Sequence, residues 1–441
     1  MAVLEIGLLY LGAALLLLFS GMPIAFALGG VALIFMFLFM PPTNLEGVTE
    51  TLYSELNNFT LLTIPLFILM GAAIGKTRAA ADLYEAAHRW LYKLPGSLGV
   101  ANVFGCSVFA AMCGSSPATC AAIGSMGIPE MRKRGYSAEL ATGLIAAGGT
   151  LGILIPPSLT LIIYGLITEQ SIGKLFIAGL IPGALLALIF ALWVMFAAWR
   201  EREETLAGGP RALLRAEAFT WKQRLETLPR VAPFVLLIGV VMVALYDGWG
   251  TPSEVAGVGA AGALVLVVTL YGVWRWRDLR EILLGTARES CMIMMIIAMA
   301  FLFTYVMSYL HITQSMAQWL VGLGLSKWAY LLWVNVLLLV LGCFLPPVAI
   351  ILMVTPVIMP GILAAGFDPI WFGIVLTINM EMGLITPPVG LNLFVINGIA
   401  PDISFSQLMR GVIPFIVIMG LYIVALAVFP EIALWLPSRV K

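Results

Sequence analysis

Two stretches of this chain, near 98–130 and 330–364, stay apolar for about 35 residues each. A helix crosses a bilayer in ~20 apolar residues, so each stretch is too long for one crossing and awkward for two. Each is also broken at its middle, by Gly114-Ser115-Ser116-Pro117-Ala118-Thr119 in the first and by Gly342-Cys343-Phe344-Leu345-Pro346-Pro347 in the second. Each therefore reads as a re-entrant hairpin that enters and leaves on one side. Irregular backbone at membrane depth survives only where protein or water covers it. Around the hairpins lie ten single-crossing runs, near 3–20, 22–40, 59–75, 138–166, 174–198, 231–246, 254–272, 291–309, 370–397 and 412–430. The expected fold class is an all-α polytopic membrane protein.

Composition supports this reading and removes alternatives. Hydrophobic residues make up 61% and charged residues 10%, against roughly 25% charged in an average soluble domain. Mean hydropathy is +1.05. A soluble enzyme, a nucleic-acid binder, a disordered chain and an alternating β-barrel are excluded. The five Cys form no CxxC pair, and the two His stand far apart, so neither a disulfide framework nor a metal centre is expected. No Walker A motif is present, so energy should come from an ion gradient rather than ATP. The first span lacks a basic segment ahead of it and an A-x-A-like site after it, so it reads as a retained span.

Basic residues orient the chain. With the N-terminus outside, 19 of the 23 Lys and Arg fall in inner segments and 4 (Lys174, Lys327, Arg439 and Lys441) fall outside. This is a strong positive-inside bias. It places both termini on the outer side of the membrane. The longest polar stretch, 199–230, joins two halves of similar size. Leu213, Leu214, Phe219 and Leu225 among its basic residues suit either a helix lying on the inner face or a plain linker.

Sliding the chain by 231 residues aligns Pro129 with Pro360, Gly135-Tyr136 with Gly366-Phe367, Gly152 with Gly383, and Pro156-Pro157 with Pro387-Pro388. The two hairpins superpose at the same offset. Five crossings separate the copies, and an odd number inverts the second. The organisation expected is a first repeat over 1–198, a connector over 199–230 and a second repeat over 231–441, each repeat with five crossing spans, a hairpin and a broken helix (138–166 and 370–397). Inverted repeats with broken helices mark secondary transporters, whose site lies near the midplane between the repeats. A channel or an intramembrane hydrolase would not need this symmetry, and Ser116 has no His or Lys base within its element.

The candidate chemistry sits at the interruptions. Gly148-Gly149-Thr150-Leu151-Gly152 running into Pro156-Pro157, and Asn379 to Pro388 followed by Gly390 and Asn392, are read as the second break of each copy. Prolines remove backbone donors and glycines relax helical geometry. Freed carbonyls suit Na⁺, and half-helix N-termini suit an anion. Ser116 and Thr119 add hydroxyls, and Thr386 and Asn392 stand beside the second break. Glu381 is an acid in an otherwise apolar span, either a cation ligand or a structural prop for freed amides.

The segments CGSSPATCAAIGSMGIPEMRKRGYS, GTLGILIPPS and GFDPIWFGIVLTINMEMGLITPPVGLNLFVING, with GMPIAFALGG, IPLFILMGAAIG and TPSEVAGVGA, resemble the large membrane (M) subunit of tripartite ATP-independent periplasmic (TRAP) transporters over essentially the whole chain. The resemblance implies an elevator-type member of the ion-transporter superfamily, with scaffold and transport domains. It implies Na⁺-coupled uptake of a small organic anion of the carboxylate class and no other cofactor. The partners implied are a small four-helix Q subunit on a separate chain and a periplasmic substrate-binding P subunit. Carried onto this sequence, one Na⁺ site would use Ser115 and Ser116 with carbonyls at Gly152, Ile155 and Pro157, and the other Gly342, Gly383 and Thr386. Substrate would lie near Ser116, Thr119 and Asn392. Where family members often carry an Asp in the second tip this chain has Pro346, which leaves the Na⁺ stoichiometry open. The alternative is a self-sufficient carboxylate carrier of the same superfamily that needs no binding protein.

Overall fold

A computed structural model describes residues 3–206, 219–322 and 324–439. Among them there is no β-strand, and the chain is a bundle of helices. In chain order the first half contains α1 (Val3–Phe19), α2 (Ile24–Phe39), α3 (Thr43–Leu56), α4 (Thr63–Gly75), α5 (Ala79–Leu91), α6 (Ser97–Cys113), α7 (Ser116–Lys133), α8 (Ala138–Leu154), α9 (Leu159–Ile167) and α10 (Ile172–Leu206). The second half contains α11 (Trp221–Leu225), α12 (Leu228–Tyr246), α13 (Pro252–Tyr271), α14 (Trp276–Tyr309), α15 (Ile312–Gly322), α16 (Lys327–Gly342), α17 (Pro347–Ala364), α18 (Pro369–Leu384), α19 (Leu391–Ile399), α20 (Phe405–Val428) and α21 (Glu431–Leu434). Among the described residues, six helices are long and apolar enough to cross a membrane alone, or up to eight if each bent pair is one span.

The 231-residue offset recurs in the element bounds. Moving α7 by that offset lands on α17, α8 lands on α18, and α9 falls on α19 within a residue. One difference is instructive. The first half has α3 and α4 as separate pieces, with Asn57 and Asn58 between them, and the Asn58 side chain accepts from the Thr60 N–H. An Asn that caps locally competes with helix continuation. The matching positions carry Arg288 and Glu289, ordinary helix formers, and α14 runs through them unbroken for 34 residues. This is why the span expected at 291–309 begins at Trp276.

The connector differs from expectation as well. Helix α10 carries the chain to Leu206, and α11 then covers only Trp221–Leu225. Leu213 and Leu214 lie outside the described residues. Three short amphipathic helices (α3, α5 and α15) were not anticipated, because a search for apolar runs passes over them.

Packing divides the helices into two groups. Helices α2, α4, α13 and α14 pack on one another, while α6, α7, α8, α10, α18 and α20 form the other cluster. The outer surface is apolar, with Leu16, Phe37 and Leu236 exposed, as a lipid-facing surface requires. Two buried tyrosine hydroxyls find partners across long sequence distances. Tyr10 donates to the Phe303 carbonyl at 3.0 Å, and Tyr164 to the Pro369 carbonyl at 2.6 Å.

Candidate functional site

Both hairpins form. The first turns at Gly114 and Ser115 between α6 and α7, and Gly114 takes the left-handed φ of +60° that closes α6. The second turns at Cys343 to Pro346 between α16 and α17. The tips are shorter than the sequence suggested. Ser116 to Thr119 are the first turn of α7, started by Pro117, which needs no N–H there.

The second breaks require a correction. Gly148 to Gly152 are helical, inside α8, and the chain leaves helix only at Ile155. The four residues 155–158 separate α8 from α9, and the axis bends by 43°. Likewise Asn379, Glu381 and Gly383 lie within α18, and the helix ends at Leu384. The physical reason is that the Pro pairs, not the glycines, stop the helices. Pro156 and Pro157 cannot donate to the Gly152 and Ile153 carbonyls, and Pro388 cannot donate to that of Leu384. The Gly383 carbonyl instead accepts from the Thr386 N–H at 3.1 Å.

The glycines provide close approach. A Cβ on Gly152 would lie 3.2 Å from the Ser115 carbonyl and the Ser116 nitrogen, so the first tip rests on α8. A Cβ on Gly114 would lie 3.2 Å from the Pro157 carbonyl. Ser115, Ser116, Gly152 and Pro157 are thus brought together, with Ile155 at the C-cap of α8. In the second half a Cβ on Gly383 would lie 2.6 Å from the Gly342 backbone. The Gly390 N–H donates to the Cys343 carbonyl at 3.2 Å, which joins tip and break. The Thr386 hydroxyl donates to the Met382 carbonyl at 2.6 Å.

One contact links the halves. Ser116 Oγ donates to Glu381 Oε2 at 2.5 Å, and both residues are buried. Glu381 Oε1 and Asn392 Oδ1 are buried with no hydrogen-bond partner. Asn392 Nδ2 reaches the Ala146 carbonyl at 3.4 Å. The Thr119 hydroxyl donates to the Ser115 carbonyl at 2.9 Å. Ser116, Thr119 and Asn392, expected to meet substrate, are therefore all fully enclosed in this conformation.

Open space lies beside them instead. A cavity of about 540 Å³ separates the first tip from α4 and α14. Ser115 and Ala118 line its hairpin wall, and Gly71, Lys76, Glu281 and Glu289 line the other. Lys76 and Glu281 pair across the two helices at 2.9 Å. No side chain caps the start of α7, so its N-terminal amides and partial positive charge are left for an anion. Sequence reasoning missed Lys76, Glu281 and Glu289 as site residues. A signal existed in Ile282, Gly285 and Glu289, whose spacing puts them on one face of a continuous helix.

At the hairpin's far end Arg132 pairs with Asp402 of the loop after α19. The guanidinium holds the Asp402 carboxyl below the usual carboxylate range.

Residues 11–432 match the family described as tripartite ATP-independent periplasmic transporter, DctM component. The C4-dicarboxylate TRAP transporter large permease protein DctM of Pseudomonas aeruginosa is 38% identical over 401 residues, covering 91% of each chain. The isethionate TRAP transporter permease protein DctMQ of Oleidesulfovibrio alaskensis is 33% identical, over 92% of this chain and 62% of its own length. The crystal structure of the Alcanivorax borkumensis YdaH transporter matches with a TM-score of 0.62 at 15% identity, over 89% of this chain and 90% of that one. At that identity the likeness is one of fold.

Proposed function

This chain belongs to the DctM-component family of tripartite ATP-independent periplasmic transporters, a multi-pass inner-membrane permease and not an enzyme, and from that premise we propose Na⁺-coupled secondary uptake of a small organic anion of the carboxylate class. The observation that carries the reading is the cavity between the uncapped start of α7 and the α4–α14 wall. It gives an anion a helix N-terminus at membrane depth. The relatives transport C4-dicarboxylates and isethionate by name; both are small organic anions, one a carboxylate and one a sulfonate, and the carboxylate class rests on the first.

We assign Na⁺ to two donor sets. The first uses Ser115 and Ser116 with the carbonyls at Gly152, Ile155 and Pro157, and its support is the contact of this tip with a helix end stripped of donors by Pro156 and Pro157. The second uses Gly342, Gly383 and Thr386, supported by the backbone contact of the two glycines. Glu381 acts as a cation ligand through its unpartnered Oε1. Substrate is held near Ser116, Thr119 and Asn392 once the hairpin shifts to uncover them. The two halves are inverted repeats, and the hairpins with the broken helices slide as an elevator against the α2–α4–α13–α14 scaffold.

A periplasmic binding protein delivers the substrate, and a separate small Q subunit braces the scaffold. The fused DctMQ name of one relative supports the second point. Both termini face the periplasm. In liposomes containing the chain and its Q partner, substrate should accumulate only with an inward Na⁺ gradient and added binding protein. Accumulation without binding protein would favour a self-sufficient carrier, and none above equilibrium with any gradient would remove the reading.

A further inference from the structure

A second cavity, about 490 Å³, lies on the opposite side of the first hairpin. It is lined by Val103 and Phe104 of α6, Ala184 and Ala187 of α10, and Val235 and Ile238 of α12. Its one hydroxyl, that of Ser107, is turned back onto the Val103 carbonyl at 2.8 Å. An ordered water needs two to four polar partners, and the other side chains of the lining are apolar. Phe104, Leu188 and Val235 on its lining are about half exposed, so it opens to the bilayer and hydrocarbon is the natural filling.

The rim tells which hydrocarbon carrier suits it. Leu91, at the end of α5, lines the cleft, and the neighbouring Trp90 Nε1 donates to the Arg224 carbonyl of α11 at 3.3 Å. The Arg224 guanidinium stacks on Tyr92 at 4.6 Å and Trp221 at 4.8 Å. It is 8% exposed, its Nε has no hydrogen-bond partner, and among the described residues it has no carboxylate partner. Lys93 and Lys222 stand exposed beside it. Aromatic side chains and excess positive charge at the end of an apolar cleft match the headgroup level of a membrane.

We propose that this cleft is a binding site for an anionic phospholipid, one acyl chain lying between α6, α10 and α12 and the phosphate resting at Arg224 and Lys222. The lipid then lies between the hairpin and α10 on one side and α12, which packs on α13 of the proposed scaffold, on the other. Binding itself does not depend on that reading, because it is measured without substrate.

The test is native mass spectrometry of the full chain after exchange with vesicles of equal phosphatidylglycerol and phosphatidylcholine. The wild type should retain one phospholipid and prefer phosphatidylglycerol. Ala187→Phe, which fills the cleft, should lose it at an unchanged melting temperature, and Ala184→Leu serves if the larger residue unfolds the chain. Lys222→Ala, on the surface and harmless to folding, should cut the headgroup preference about fivefold, the factor one surface cation contributes near a membrane. A wild type that retains no lipid or takes both lipids equally, a folded filled variant that retains as much as wild type, or an unchanged preference in Lys222→Ala would each overturn the proposal.

Discussion

The two hairpins are built from one pattern and end up in different surroundings. The first tip carries Ser115 and Ser116, faces a cavity, and is tied to the other half by a side-chain contact, Ser116 to Glu381. The second tip carries Phe344 and Leu345 and is tied to its own break by backbone, through Gly342 on Gly383 and the Gly390–Cys343 hydrogen bond. Phe344 meets Phe19 of α1 with ring centroids 5.5 Å apart. On α14 the positions matching Gly71 and Lys76 in the cavity wall are Leu302 and Met307, which are fully buried beside α17. The first half has small residues and charge beside its tip, and the second has bulky apolar side chains at the matching positions. A shared fold thus sets where the tips go, and the side chains on the facing helix set what surrounds them.

The largest expected effect separates the two by packing. Gly383→Ala would put a methyl 2.6 Å from main-chain atoms that cannot swing aside, and should cost at least the upper end of the roughly 1–3 kcal/mol typical of overpacking. Gly152→Ala, with its nearest contacts at 3.2 Å, should fall at the lower end of the same range. Thermal unfolding in detergent ranks them, and the reverse order would mean that the first cradle is the tighter one.

Next comes the side-chain tie. Ser116→Ala removes the hydroxyl donor on Glu381, and an intramolecular hydrogen bond contributes about 0.5–1.5 kcal/mol net. Unfolding should move by that amount and uptake should fall with it. An unchanged melting curve would show that the halves are not joined through this contact.

Thiol chemistry sharpens the comparison without mutation. Cys113 lines the cavity and Cys343 is buried. A water-soluble maleimide should modify Cys113 before Cys343, as read by peptide mass, and the reverse order would place the opening at the other tip.

The smallest effect is at the far end of the first hairpin. The Arg132–Asp402 pair has no equivalent at the repeat-related positions, which are Leu363 in the second half and Ser171 in the first. The Asp402 carboxyl is held low in the folded chain. Its contribution is present above the unfolded carboxylate value of about 3.9 and lost as pH falls through the lowered one. Amide exchange at the end of α7 should quicken in that acid range, and Asp402→Asn should remove the pH dependence. Both groups are solvent-exposed, so global stability should barely move.

Much of the architecture was legible because its causes are local. Spans follow from apolar length, and helix ends follow from Pro156-Pro157 and Pro387-Pro388, whose missing donors act wherever the chain folds. The sequence reading placed the breaks too early because Gly148, Gly149 and Gly152 look like helix breakers. In the folded chain they are contact surfaces, with Cβ positions within 3.2 Å of Cys106, Cys120 and Ser115. Amphipathic α3, α5 and α15 were hidden for the opposite reason, having too little apolar length to register.

Sequence by itself determined that this chain lives in a bilayer, that it repeats at an offset of 231 residues, and where its helices must stop, since hydrophobic length and proline chemistry need no partner. Only the tertiary structure decided that Ser116 meets Glu381 across 265 residues, that Lys76 and Glu281 frame the cavity, and that the first tip faces it. Those outcomes depend on which side chains from distant helices arrive at the same place, and no local pattern carries that information.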